Sequence, residues 1–386
     1  MRMNQFIRIK FSGFLHPLDD EIAGETSPSL ALLYGIFFFP FCYVQENPMT
    51  MSLDENTYLT AARAGDQEAF AQLVDPYRRQ LLVHCYRILG SFEDAEDILQ
   101  ETLVRVWKHL DSFEGRSSLR AWLYKVATNA ALDALDSRRA RGLPKELYAR
   151  GDPAAPLPAP LGQANWVEPI PDEWIDGQPD IYPEARYEVR ESITLALVAA
   201  LQKLPGRQRA ALLLCDVMGW SASEAAEILD LSVAAVNSAL QRARETLKQP
   251  GRKTGSARSD EHLAGLLARY VAAWEAADSA ALISVLREDV ALTMPPLPVW
   301  FGGHASVRAF LDDFLFQSFD PFRVRLVPVR ANGSPAFAVY QLDAEGKYRA
   351  AAMQILTIED GQISEVNDYL SFDGQLFEQF HLDLML

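Results

Sequence analysis

The sequence predicts a multidomain chain: two all-α domains, the second a helix-turn-helix, followed by an α+β domain built on a curved sheet. Three observations carry this. Apolar residues recur at helical spacing from Asn56 to Arg141 and again from about Tyr187 to Lys248. Two stretches rich in proline, glycine and serine break the pattern between and after those runs. Beyond Asp260 helical spacing gives way to strand-like runs separated by turn signals. With 386 residues, 49% hydrophobic and 23% charged, the chain holds apolar material for two or three cores.

The elements follow in order. Residues 1–48 read as a non-native extension. The apolar run LALLYGIFFFPFCYV (30–44) is shorter than the roughly 20 residues a spanning helix needs. It also contains Gly35 and Pro40 and follows acids rather than bases. Translation is therefore expected to start at Met49 or Met51. Residues 52–141 form the first helical domain, with Leu99, Leu103, Val106 and Leu110 as one core stripe. Residues 142–186 carry DPAAPLPAP and are expected to be a stiff, extended, acidic linker. Residues 187–250 form the second helical domain and 251–259 a second linker. In the second domain Ser221 and Glu224 make a capping box, and Ser232 can cap a following helix after the turn DLS. Val236, Leu240, Ala243 and Leu247 give that helix a core stripe, leaving Asn237, Ser238, Gln241, Arg242 and Arg244 on other faces. A short helix, a tight turn and a polar, basic second helix match a helix-turn-helix, whose second helix enters the major groove. There arginine can bind phosphate or guanine, and Asn and Gln can read bases.

Residues 260–386 begin with two helices and a strand, then the amphipathic VRAFLDDFLFQSF. FRVRLVPVR, PAFAVYQL, YRAAAMQILTIE and QISEVNDYL follow as an antiparallel meander with turns at ANGS, DAEG and EDGQ. Helices followed by a meander argue for a curved sheet wrapping a pocket that would admit a small apolar ligand. Met294, Trp300, Phe310, Phe314 and Met353 are expected to line a core or that pocket.

The net charge of −16 averages over contrasting segments. Residues 104–150 hold ten Lys or Arg against five acids, and 237–260 six against two. Residues 152–191 hold nine acids against two arginines, and 261–386 seventeen against eight bases. Three scattered cysteines and six histidines without ligand spacing suggest neither a disulfide framework nor a metal site, and no phosphate-cradling glycine motif is present. No cofactor, membrane span or metal is called for, and a reducing cytosol fits best.

The stretch 92–141 begins with a helix bearing Glu93, Asp94, Glu96, Asp97 and Glu101, suited to a basic protein partner. It ends in Arg138, Arg139 and Arg141, suited with nearby aromatics to nucleic acid. Here the residues resemble the bacterial extracytoplasmic-function (ECF) sigma factors of RNA polymerase. DAEDILQET resembles the region-two helix that docks on the polymerase clamp. FEGRSSLRAWLYKVATNAALDALDSRRAR resembles the melting and minus-ten segment, and LPGRQRAALLLCDVMGWSASEAAEILDLSVAAVNSALQRARETL resembles region four, which reads the minus-thirty-five element. The resemblance implies binding to core polymerase, at clamp and flap, and to promoter DNA. It places Asp94, Asp97, Gln100 and Glu101 at the clamp, and Arg120, Asn129, Arg138 and Arg139 at the melted strand. Ser232, Asn237, Ser238, Gln241, Arg242 and Arg244 fall on the upstream-element helix. Many of these factors flank the recognition-helix serine with basic residues, whereas Asn237 and Ala239 flank Ser238 here.

The C-terminal pattern resembles the SnoaL-like domain shared with polyketide cyclases and ketosteroid isomerases, which some ECF factors carry. The resemblance implies a factor tuned in cis by this domain rather than an enzyme. His304, Asp312, Asp313 and Asp368 are the available acid–base groups, and solvated helix faces and turns account for them without catalysis. A helix-turn-helix regulator acting without polymerase, and a cyclase or isomerase tethered to a DNA-binding region, are the rival readings.

Overall fold

The computed structural model describes residues 53–136, 140–162, 165–176, 192–247, 260–318 and 322–386. The expected N-terminal extension, the 251–259 linker, Arg138 and Arg139 lie outside the described residues.

Among the described residues the first domain holds four α-helices, α1 (Leu53–Arg63), α2 (Gln67–Leu89), α3 (Phe92–His109) and α4 (Leu119–Asp136), with a short 3-10 turn at Leu110–Ser112. Each junction is chemically marked. Asp66 caps α2 by accepting from the Glu68 and Ala69 amides, and Gly90, at φ 72°, ends it with an N–H to Tyr86 O. Ser91 then caps α3 through the Asp94 amide. The stripe Leu99, Leu103, Val106 and Leu110 is buried as the sequence predicts. The C-terminal half of α2 is buried on every side, from Leu81 through Leu89, because it is packed against more than its own bundle. There His84 is fully buried and pushed down to about 3, chiefly by desolvation, and its Nε2 lies 2.8 Å from Thr128 Oγ1.

The second domain contains α5 (Leu195–Gln202), α6 (Gly206–Leu212), a wider turn over Leu213–Val217, α7 (Ala222–Leu229) and α8 (Val233–Leu247). The capping box is formed, with Ser221 N donating to Glu224 Oε2 at 2.8 Å and Glu224 N to Ser221 Oγ at 3.2 Å. Asp230 turns the corner at φ 51°, and Ser232 Oγ accepts from Ala235 N. Val236, Ala239, Leu240 and Ala243 are the buried stripe of α8.

The third domain has α9 (Asp260–Glu275), α10 (Ser279–Val285), β1 (Leu286–Thr293), β2 (Trp300–Gly302), α11 (His304–Phe310), β3 (Val324–Ala331), β4 (Ser334–Leu342), β5 (Tyr348–Glu359), β6 (Gln362–Leu370) and α12 (Gln375–Gln379). Its sheet runs β2-β1-β6-β5-β4-β3. The predicted meander β3 to β6 is antiparallel, but β1 pairs parallel to β6, and the short β2 was not legible as a strand. Register shifts in the β4–β5 and β5–β6 pairings accompany the curvature. Among the described residues, aromatic side chains pack where the pocket is expected. Tyr270 stacks on Phe337 and Phe301 on Phe310, and the cavity lined by Tyr270, Trp274 and Leu292 measures about 10 Å³, room for one water at most. Met294, Phe310 and Met353 are core, Phe314 is exposed, and Trp300 donates its Nε1 to Tyr148 O. A small apolar ligand therefore has no volume at that cavity.

The proline-rich run 152–162 is largely exposed and irregular, as expected, but the linker departs from a solvated spacer beyond it. It has little regular structure, as its prolines require, yet Trp166, Val167, Ile170 and Ile175 are buried. It runs between the first and third domains. Tyr369 Oη donates to Val167 O at 2.8 Å, Gln379 Nε2 to Pro169 O at 2.7 Å, and Glu168 N to Gly90 O at 2.9 Å. The second domain rests on α4: Gly206 faces Leu132 and Leu135, and Lys125 Nζ lies 2.5 Å from Asp230 Oδ1.

Arg209 ties α6 to α2. It is 3% exposed, and its guanidinium donates to Ile88 O, Gln202 Oε1, Gln202 O and Leu204 O. Arg209→Ala would strand those acceptors, and a loss of about 2–4 kcal/mol is expected as a lowered urea midpoint.

Candidate polymerase and nucleic-acid interfaces

The acidic face of α3 follows from its periodicity. Ala95, Ile98, Leu99, Thr102 and Leu103 bury one side, which leaves Asp97, Gln100, Glu101 and Val104 in solvent along the other. Val104, 51% exposed among polar neighbours, was missed by the sequence reading; its place one turn beyond Gln100 is the signal. Glu101 holds Arg105 at 2.6 Å. Asp94 differs from its three companions: it is half-buried, and its carboxylate meets Arg141 Nη2 at 2.7 Å. Arg141 Nη1 reaches Glu168 Oε1 at 2.8 Å, and Glu168 Oε2 accepts from Ser91 Oγ and Phe92 N at the start of α3. Linker residue Glu168 thus works as an added cap for the acidic helix. Burial raises its pKa, and the Arg141 charge opposes that rise.

Arg120 and Asn129 sit on α4 in different surroundings. Arg120 lies 5.3 Å from the Trp220 ring centroid and 5.5 Å from that of Tyr124, so the second domain covers it. Asn129 lines an open groove of about 420 Å³ with Arg105, His109, Ser112, Trp122 and Val126. An aromatic wall, an amide and cations in a groove of this size can hold a planar polar ring by stacking and hydrogen bonding.

On α8 the side chains of Asn237, Ser238, Gln241 and Arg242 are exposed, and Gln241 contacts Glu245 at 3.1 Å. Ser232 is exposed but its hydroxyl is used as a cap. Arg244 is half-buried and anchored within its own domain. Its guanidinium makes a two-pronged pair with Asp216, at 2.9 and 2.6 Å, and Asp216 is 5% exposed, so this arginine braces the domain.

In the third domain Asp313 is exposed, Asp312 pairs with Arg308, and His304 Nε2 lies 3.1 Å from Leu286 O. Asp368 is not the solvated turn residue the sequence suggests. It lies on β6, 7% exposed, with Oδ1 unpartnered beside Gln354. Desolvation pushes its carboxyl up to about 7.

The Sigma-70 region 2 family matches residues 73–141, Sigma-70 region 4 matches 194–247, and the SnoaL-like domain matches 267–366. An acid-faced helical module, a helix-turn-helix and an appended α+β domain in this order define a transcription initiation factor of the sigma type. The chain is 40% identical over 324 residues to the ECF RNA polymerase sigma factor SigG of Mycobacterium tuberculosis, covering 83% of this chain and 85% of the relative. It is 29% identical to SigW of Bacillus subtilis over 187 residues, 48% of this chain and 91% of the relative. The crystal structure of the Mycobacterium tuberculosis ECF factor SigJ shares the fold, with a TM-score of 0.50 at 24% identity over 80% of this chain and 97% of that one. The chain belongs to the ECF sigma factors of RNA polymerase.

Asp368 fixes a pH dependence. Its folded pKa lies above the unfolded value, so the folded state holds the proton more tightly, and stability falls as pH rises from about 4 to about 7. Between pH 5 and 8 the wild type should lose roughly 2–3 kcal/mol that Asp368→Asn does not lose, read as the difference between their urea midpoints.

Proposed function

We propose that the chain initiates transcription by docking α3 on core RNA polymerase through Asp97, Gln100, Glu101 and Val104. Its α4 groove then takes an unpaired promoter base, and α8 is laid in the upstream major groove. Asp94 joins the docking face once it leaves Arg141, and Arg138 and Arg139, which follow α4 in the sequence, are assigned to the melted strand by the family resemblance. The single observation that carries this is the pair of exposed, chemically distinct faces on separate domains: an acidic one on α3 and a polar, basic one on α8. Acid suits a basic protein surface and the other suits phosphate and base edges. With Arg244 paired to Asp216, Arg242 is the more available cation of α8. Readout by Asn237, Ser238 and Gln241 is then backed by few phosphate contacts.

The third domain is a regulatory element in cis. It grips the linker that caps α3, and the cavity beside Tyr270 and Trp274 leaves no room for a ligand there, which favours contact with the rest of the chain.

Run-off transcription with core polymerase on the promoter of this protein's own gene tests the assignment. The full chain should give a specific transcript; promoter binding without polymerase and no transcript would instead favour the repressor reading. Asp97→Arg with Glu101→Arg should weaken binding to core polymerase about tenfold or more while leaving the melt intact. Arg242→Ala should weaken promoter-fragment binding and make its log–log salt dependence shallower by about one unit.

A further inference from the structure

We propose that Asn332, at the β3–β4 turn of the third domain, is an autoinhibitory latch that holds regions two and four together and so limits initiation. The proposal rests on the sigma-factor reading above and supplies the direction of the regulation in cis.

The turn itself does not need Asn332 to be buried. Asn332–Gly333 and Asp360–Gly361 are both two-residue turns with positive φ, at 54° and 69° and at 51° and 77°. Asp360 is exposed, as such a residue ordinarily is, whereas Asn332 is 0% exposed. Its burial therefore reflects what it touches. Oδ1 accepts from Ile170 N at 3.0 Å, while Nδ2 donates to Tyr86 Oη at 2.8 Å and to Ile193 O at 2.7 Å. Its own amide donates to Ile170 O at 3.0 Å. One side chain thus joins α2 of region two, the linker, and the residue two positions before the first helix of region four.

The flanks of the turn reinforce the grip. Arg330 pairs with Asp172 at 3.0 Å, and Gly333 N donates to Asp172 Oδ1 at 2.7 Å. Beside Ile193, Ser192 is bonded by Arg87 of α2. Tyr86 passes the contact on, since its hydroxyl donates to Glu168 O at 2.7 Å, and Glu168 caps α3 and holds Arg141 on Asp94.

What this arrangement covers gives the sign. While region four rests on α4, Trp220 lies over Arg120 and Lys125 is paired with Asp230. Asp94 is likewise occupied by Arg141. Both residues are half-buried, so a promoter strand at Arg120 or polymerase at Asp94 competes with those contacts and gains full access when they part. Asn332 fastens region four's entry to region two, so its amide opposes that parting. Buried polar groups in a low-dielectric contact are costly to separate singly, which makes the contact two-state.

The test uses the full chain with Asn332→Gly, which keeps a left-handed turn at no steric cost and removes only the side chain. Tyr86→Phe attacks the same contact from region two. Both are compared with wild type in run-off transcription at limiting sigma factor, with labels on regions two and four reporting their separation by energy transfer. Each variant should raise the transcript about three- to tenfold and lower the transfer, and the double variant should give little beyond either alone. If wild type transcribes and a cooperatively melting Asn332→Gly matches or falls below it, the latch is overturned. Should Asn332→Gly lose its cooperative melt, Tyr86→Phe decides in the same way, since its ring stays packed. Failure of all three proteins to transcribe or bind core polymerase would remove the sigma-factor reading, and the latch with it.

Discussion

Between Trp166 and Asp172 the backbone has almost no helix or strand of its own to satisfy its polar groups, yet most of it lies away from water. Buried amides and carbonyls must find partners, and here they find them on both sides. Glu168 N is taken by Gly90 O, Val167 O and Pro169 O by Tyr369 and Gln379, and both polar groups of Ile170 by Asn332. The prolines that prevent regular structure thus create a strap that can be satisfied only by neighbours. Two domains distant in sequence become one body because each completes the same unpaired backbone.

That constraint explains what could be read from the residues and what could not. The helix-turn-helix was legible down to its capping box, because Ser221, Glu224, Asp230 and Ser232 act within a few positions of one another. The strands β3 to β6 were legible for the same reason, their turns being set by local φ. The linker's burial was not, since a proline-rich acidic run has the same composition whether solvated or trapped. The pairing of Arg244 with Asp216 was not legible because the two lie 28 positions apart and give no periodic signal. Asp368 was misjudged because β6 is buried on both faces, so alternation could not tell an inward carboxyl from an outward one. The acidic face of α3 was found, but Val104 within it was hidden by its apolar character.

Charge segregation in the sequence resolves into pairs in space. The basic tail of region two sends Arg141 back onto Asp94 and the linker's Glu168, and region four's Asp230 receives Lys125 from α4. Acidic segments of this chain therefore serve as internal counterions for basic ones, not merely as a solvated coat. The half-buried Arg141 cluster is screened less by salt than the exposed Lys125 pair.

The turn that holds Asn332 lies 246 positions after Tyr86 and well beyond the last helix of region four. A polypeptide grows from its N-terminus at about 5–20 residues per second. For several seconds of each synthesis, both reading domains have left the ribosome while the hairpin meant to join them has not been made. A newborn molecule is therefore chemically younger than its own restraint. On the latch proposed above, a molecule whose β3–β4 hairpin has yet to form meets polymerase unrestrained, so restraint begins with the folding of that sheet.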